Sequence, residues 1–363
     1  MRLLFKTFAL LAVLPWLAVV VIAMTQSATW STVAYVGLGT ALLAGLVTLP
    51  DPARGEGNER KKGKKTRRPR GLSRGALVAI VAVAILRVCV TGDSRTMRLI
   101  DGAAGEESRG RFVNRVLDEG DLAIAGTRVL VASGALRDDA VELPGAMRSA
   151  YAAMRREEGS PPSPVAATLL GLERPGAFDL VLVEPAGEAP AHHAVVFLHG
   201  FAGNWDLPCW QIARAVSSAA VVTACPSTRF VGDWGSADGE ATLRRTVDVL
   251  RARGIDGIVL AGLSNGGLGA SALAPKMKGA FAGLVLISGA DPGAPSPGVP
   301  TLVIHGEHDS MVHPSTSRAY AKKHGAKYVE LDAGHFAMLV RGAAADRAIG
   351  DFVAATLVPR ASR

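Results

Sequence analysis

Hydrophobic and polar positions follow two different patterns along this chain. Up to about residue 91 the apolar residues come in long uncharged runs, at about Thr7–Met24, Thr32–Leu49 and Leu72–Thr91. The first two span about 18 residues each, long enough to cross a bilayer as helices. The third contains Arg74 and Arg87, both near its ends, where a long side chain can reach the interface. Gly37, Ala41 and Gly45 recur every four residues in the second run, a spacing that suits close helix packing.

Residues 92–177 read as a less regular preamble. FVNRVLDEGDLAIAGTRVLVASG alternates apolar and polar positions between turn signals, which predicts short strands. DDAVELPGAMRSAYAAMRREEG predicts a helix whose apolar stripe breaks near Pro144. Ser160–Pro164, SPPSP, cannot continue a helix and marks a loop. The preamble either supplies the first strands of a larger sheet or forms a small cover.

From about Phe178 strands and helices alternate. FDLVLVEP reads as an alternating strand, and His193–Gly200 as the continuous apolar strand of a buried parallel sheet. A helix at about Pro208–Ser217, the strand AAVVTACP and the helix DGEATLRRTVDVLRARG follow. DGIVLAG is a strand ending at Gly262, and NGGLGASALAP a helix. FAGLVLISGAD and VPTLVIHGEHD are strands, Ser315–His324 a helix, AKYVEL a strand and AAADRAIGDFVAATLV the last helix. Such alternation predicts a doubly wound, mostly parallel α/β sheet over residues 178–358, preceded by three transmembrane helices in residues 1–91.

Charge changes the picture once it is located. The net charge of +8 suggests a nucleic-acid binder, but residues 1–75 hold 12 Lys/Arg against 3 acids, so the rest of the chain is nearly neutral. The excess sits in the segment 51–71 and just beyond it, between the second and third apolar runs. A basic cytoplasmic loop fits that position, drawn to anionic headgroups rather than to nucleic acid. Arg2 and Lys6 place the N-terminus on the same side. The third run then delivers the C-terminal domain outside the cytoplasmic membrane. A cleaved signal peptide is the alternative for the first run, but two further runs behind it favour a signal anchor.

Candidate chemistry centres on GLSNGG, Gly262–Gly267, where a buried strand turns sharply into a helix. The flanking glycines permit the tight turn, and the helix N-terminus favours developing negative charge near Ser264. A serine needs a base, and the base an orienting acid. Asp309 follows the strand VPTLVIHG and His335 the strand AKYVEL. All three therefore sit at the C-terminal edge of the sheet, in the order Ser, Asp, His.

HGFAGN at 199–204, GLSNGG at 262–267, HGEHDSMV at 305–312 and GHF at 334–336 together resemble the α/β-hydrolase superfamily, over about residues 178–358. The resemblance implies Ser264 as nucleophile, His335 as general base and acid, and Asp309 as its orienting partner. It also implies an oxyanion hole from the backbone N–H groups of Phe201 and Asn265, and no cofactor or metal. Only the Pro-rich PGAPSPGV separates Asp291 from Pro300, too short for a helical lid. The site thus resembles lidless serine esterases and dienelactone hydrolases, and implies a small-molecule or polymer ester, or a thioester, as substrate. A serine peptidase of the prolyl-oligopeptidase-like type and a catalytically silent binding module are the alternatives.

Several neighbours compete for roles. Asp291 follows the preceding strand and is a second candidate acid. Glu307, His308 and His313 crowd Asp309 and are of metal-ligating types, without a second cluster to support them. His199 is expected to shape the oxyanion loop, and His192, His193 and His324 to lie at surface or strand edges. Trp205, Trp210 and Trp234 either line a pocket or pack in the core. Cys209 opens a helix and Cys225 closes the next strand at the same sheet edge, so an intrachain disulfide is geometrically feasible and fits export. Cys89 reads as apolar filler.

Overall fold

Alternating side chains build the sheet from both faces. Leu180, Leu182, Ala194, Val196, Leu198, Ile258, Leu260, Leu284, Leu286 and Val303 belong to one buried cluster on one face, and the residues between them, such as Val181, Phe197, Val259 and Val285, are buried on the other, so both faces are covered. The computed structural model describes residues 2–25, 28–47, 70–92, 94–108, 110–185, 187 and 191–357. It divides into two compact units, Met1–Val90 with Val116–Ala125, and Thr91–Arg115 with Gly126–Arg363.

The first unit holds helices α1 (Arg2–Thr25), α2 (Trp30–Val47) and α3 (Arg70–Val90). Trp30–Val47 and Ser73–Val90 are long and apolar enough to cross a membrane, whereas the apolar stretch of α1 is shorter, Leu10–Thr25. Leu14 and Val78 are 78% and 70% exposed, so much of this apolar surface has no protein cover. The four-residue glycine spacing is used in part. A Cβ on Gly45 would lie 2.4 Å from Ser73 Oγ of α3, while Gly37 faces open space. Close approach occurs instead at Gly39, against the Trp16 ring, whose Nε1 donates to Thr40 Oγ1 at 2.9 Å. Arg87 does not reach outward. It is buried, donates to Leu117 O and pairs with Asp118 at 3.6 Å. Residues 51–69 of the basic loop lie outside the described residues.

The second unit is built on nine strands: β1 (Met97–Asp101), β2 (Glu106–Glu107), β3 (Asp179–Val183), β4 (His193–Leu198), β5 (Val222–Pro226), β6 (Gly257–Leu263), β7 (Gly283–Ile287), β8 (Thr301–Gly306) and β9 (Lys327–Leu331). Their order is β2-β1-β3-β5-β4-β6-β7-β8-β9. Strands β4 to β9 pair in parallel, while the pairings β2–β1, β1–β3 and β3–β5 at one side are antiparallel. The preamble thus extends the sheet by two strands.

The segment FVNRVLDEGDLAIAGTRVLVASG forms no strand. It makes a 3-10 turn at Phe112–Arg115 and then helix α4 (Glu119–Ala132). Asp118 Oδ1 accepts from Asp121 N at 3.0 Å, and Glu119 and Asp121 occupy the first turn. Capping and helix-dipole signals therefore override the short-range alternation. Helix α5 (Leu143–Glu158) carries Pro144 in its first turn instead of breaking there, because a first-turn residue needs no N–H partner. It buries Leu143, Met147, Tyr151 and Met154 along one stripe.

Helix α6 (Val165–Leu169) follows the SPPSP loop. Helices α7 (Asp206–Ala215), α8 (Ala237–Ala252), α9 (Asn265–Leu273), α10 (Pro314–His324), α11 (Ala337–Val340) and α12 (Gly342–Leu357) complete the unit. Leu243, Leu250, Ala270, Leu273 and Tyr320 put α8, α9 and α10 into the cluster described above, while α12 packs on α7 and on β6 to β8. Cys209 of α7 and Cys225 of β5 form a disulfide, with both residues fully buried. Residues 291–300 form turns and no helix, so this stretch adds no lid.

Candidate functional site

Ser264 stands at the C-terminal end of β6, where the loops that follow β4 and β7 pack against it. This residue holds φ 55° and ψ −120°, a left-handed conformation that costs a non-glycine residue of order 1–3 kcal/mol and persists only where its surroundings enforce it. They do so by close packing. A Cβ on Gly262 would lie 2.2 Å from Gly266 O, one on Gly266 2.0 Å from Leu198 O, and one on Gly289 2.4 Å from Ser264 O. The Ser264 N–H donates to Ile287 O at 2.8 Å, and its carbonyl accepts from Leu268 N at 2.9 Å. The residue is 8% exposed.

The loop after β4 touches it directly. A Cβ on Gly200 would lie 3.1 Å from the Ser264 Cβ. Ala202 and Gly203 both take positive φ, 75° and 99°, which bends the loop. Among the described residues the backbone N–H groups of Phe201 and Asn265 meet no hydrogen-bond acceptor, whereas the Asn265 side chain donates to Val231 O at 2.7 Å. Phe201 packs edge-on against Phe230 with centroids 4.7 Å apart.

His199 braces this loop. Its Nε2 accepts from Thr228 N at 3.1 Å, so the proton lies on Nδ1, which donates to Gly200 O at 2.8 Å. Burial pushes its pKa down to about 4, against smaller opposing effects of Gly200 O and Asp233. The imidazole is thus neutral and internally satisfied. The unfolded chain binds the proton more readily between the two pKa values. Stability is complete above about 6.5 and falls as pH drops toward 4, by about 3 kcal/mol from this group. Denaturant titrations at pH 7 and pH 4.5 check it: the acid loss is expected to be smaller in His199→Gln than in the native chain.

Asp309 and His335, on the loops after β8 and β9, pair with each other. Asp309 Oδ2 lies 2.7 Å from His335 Nδ1, and both residues are buried. Nδ1 therefore carries the proton and Nε2 is left as the basic nitrogen. Asp309 Oδ1 accepts from Met311 N and Val312 N, both at 2.9 Å. Burial by itself raises the Asp309 pKa, but hydrogen bonds from His305, His335 and Val312 N–H outweigh it and hold the carboxyl well below the usual range. Asp291 is occupied elsewhere, accepting from Gly293 N at 2.8 Å.

His305 lies on β8, within the HGEHDSMV stretch. Its side chain is fully buried, with Nε2 at 3.1 Å from Asp309 Oδ2 and 2.9 Å from Val312 O. Both are acceptors, so Nε2 holds the proton, and Nδ1 faces Ser317 Oγ at 2.8 Å. The carboxylate thus receives four donors and is fixed in orientation.

The remaining candidates fall outside this arrangement. Glu307 and His308 group with Asp332 at the exposed surface, while His313 caps α10 by accepting from Ser315 N. Trp234 is buried and donates to His199 O at 2.9 Å, and Trp210 is buried and donates to Glu157 at 3.2 Å. Trp205 donates to Ala202 O at 3.1 Å. His192 is exposed, and His193 and His324 are half-buried.

No sequence motif points to Asp139. This buried residue precedes α5, and its carboxylate accepts from Gly334 N at 2.8 Å and from Phe336 N at 3.0 Å, the two amides flanking His335.

No protein-family model matches the sequence, and no curated protein matches it. Among solved structures, the chain is similar to Est1E from Butyrivibrio proteoclasticus, at 17% identity and a TM-score of 0.42, over 49% of this chain and 94% of that one. It is similar to a protein of Xanthomonas campestris described as an α/β serine hydrolase without a lid, at 19% identity and a TM-score of 0.40, over 52% and 92% of the two chains. A thermophilic esterase from Thermogutta terrifontis aligns at 18% identity and a TM-score of 0.39, over 50% and 98%. By its own strand order, and by the strand–turn–helix that carries Ser264, the C-terminal half of this chain has the α/β-hydrolase fold.

Proposed function

We propose that the protein is a membrane-anchored serine hydrolase that cleaves carboxylic esters or thioesters through an acyl-serine intermediate. The observation that carries this reading is the buried Asp309–His335 hydrogen bond, on loops that end strands of the same sheet edge as the strained Ser264. In this scheme His335 Nε2 takes the proton of Ser264 as Oγ attacks the carbonyl carbon. The N–H groups of Phe201 and Asn265 receive the oxyanion, and each such donor contributes roughly 3 kcal/mol to lowering the barrier. His335 then returns the proton to the departing alcohol or thiol. Water, activated by the same nitrogen, releases the acid and restores the serine.

Anchoring rests on α2 and α3, whose apolar faces are largely uncovered. The basic segment between them argues for its own placement in the cytoplasm and hence for a catalytic domain outside. The Cys209–Cys225 bridge fits an oxidising compartment.

The reading is tested with the full chain in detergent against p-nitrophenyl acetate and butyrate. Saturable hydrolysis that disappears in Ser264→Ala is expected. Equal rates for the two proteins would reject it. A reporter fused to the C-terminus is expected to be active only outside the cytoplasm, and cytoplasmic activity would overturn the topology.

A further inference from the structure

We infer that Asp139 is a positioning residue for His335, so that the segment preceding the hydrolase fold forms part of the catalytic apparatus; this rests on the hydrolase reading above. The loop from Asp332 to Phe336 joins β9 to α11 and has no regular hydrogen-bond ladder of its own. On one side it is held by the strand ends, where His308 N–H donates to Ala333 O at 3.0 Å and a Cβ on Gly306 would lie 2.0 Å from Gly334 O. On the other side its two amides around His335 end on a single carboxylate. Asp139 Oδ1 takes the Gly334 N–H and Oδ2 the Phe336 N–H. Contact is tight enough that a Cβ on Gly334 would fall 2.6 Å from Asp139 Oδ2.

Two bonds to one rigid, planar acceptor fix the Ala333–Gly334 and His335–Phe336 peptide units, in rotation as well as in position. The Asp309 hydrogen bond orients the ring, and the Asp139 bonds orient the backbone from which the ring hangs. The backbone that carries Asp139 is itself anchored. Leu136 and Leu143, on either side in sequence, are buried at 2% and 0% exposure, and Leu143 N donates to Asp139 O at 2.9 Å. A second tie lies nearby, where Arg341 Nη2 meets Glu142 Oε1 at 2.9 Å. That pair is more exposed and belongs to the class of weak surface ion pairs. Asp139 is 3% exposed, so losing it leaves a buried N–H group at Gly334 and a half-buried one at Phe336 without an acceptor.

An asparagine at this position keeps one acceptor oxygen but turns an NH2 group toward the other amide. A shift of His335 by a fraction of an ångström matters because its Nε2 must meet the serine hydroxyl, and misplacement of about 1 Å costs up to about 100-fold in rate. Ground-state ester binding does not depend on this contact, so the effect belongs in kcat.

The test uses the full chain in detergent as native protein, Asp139→Ala, Asp139→Asn and, as control, Glu142→Gln. Hydrolysis of p-nitrophenyl butyrate is measured per serine titrated with a fluorophosphonate, alongside hydrogen exchange of the peptide covering 332–340. The expected result is a kcat per titrated serine lower by about 10- to 100-fold in both Asp139 variants, with KM within twofold of native, faster exchange in 332–340, and Glu142→Gln close to native. Unchanged kcat per titrated serine, even with a lower Tm, would overturn the inference and leave Asp139 a merely structural residue. Unchanged exchange in 332–340 would overturn it as well. If the native chain takes up no fluorophosphonate, the hydrolase reading fails and the positioning role falls with it. Exchange then still separates an Asp139 that holds this loop from one that does not.

Discussion

Replacing His335 by alanine is expected to lower kcat for ester hydrolysis by roughly a million-fold, down to what binding and oxyanion stabilisation alone provide. The size of the effect follows from the geometry. Ser264 is held at the turn by its backbone, and a serine hydroxyl is a weak nucleophile without a base to take its proton. His335 is the imidazole whose Nδ1 is already committed to Asp309, leaving Nε2 basic. The other buried imidazoles of this edge are spoken for, His199 between Gly200 O and Thr228 N, and His305 between Ser317, Asp309 and Val312. Neither substitutes for it. The check is single-turnover acylation with p-nitrophenyl acetate, with circular dichroism to show that the variant folds. A loss below tenfold would assign the base elsewhere.

Replacing Asp309 by asparagine is expected to cost about ten-thousand-fold in kcat with the fold retained. The carboxylate accepts from four donors, two amides on Oδ1 and two imidazoles on Oδ2. An asparagine keeps an acceptor for one pair and presents NH2 to the other. If the carbonyl keeps the Met311 and Val312 amides, the NH2 faces His335 Nδ1, which must then be unprotonated to accept it. The proton moves to Nε2, and the nitrogen that should receive the serine proton already carries one. Raising the pH does not restore activity, because the fault is the tautomer and not the charge. A pH–rate profile of the variant therefore stays low and flat where the native profile rises. Recovery of native kcat at high pH would contradict this account of Asp309.

The readable parts of the molecule were those where chemistry and strand ends coincide. GLSNGG and HGEHD follow continuous apolar runs and GHF follows the mixed strand AKYVEL, so Ser264, Asp309 and His335 each read as lying just past a strand end. The disulfide was legible for the same reason, since Cys209 and Cys225 flank one strand–helix crossover. What escaped were contacts that sequence spacing does not encode. Asp139 lies 195 positions from Gly334 and 197 from Phe336, in a stretch whose local pattern says only turn and helix. The role of His305 depends on a buried face of β8, where a histidine looks like any strand residue. Alternation in LAIAGTRVLVA pointed to strands because Leu122, Ile124, Val129 and Val131 are two apart in pairs. The Asp118 cap and the acidic first turn were the stronger signal, and they belong to a helix.

The most direct measurement is covalent trapping of the full chain with a fluorophosphonate, followed by peptide mass mapping, with Ser264→Ala and His335→Ala run in parallel. A single adduct on Ser264, absent from Ser264→Ala and strongly slowed in His335→Ala, is the predicted result. Failure of the folded native chain to react, or an adduct on any other residue, would contradict the claim that Ser264 is an activated nucleophile.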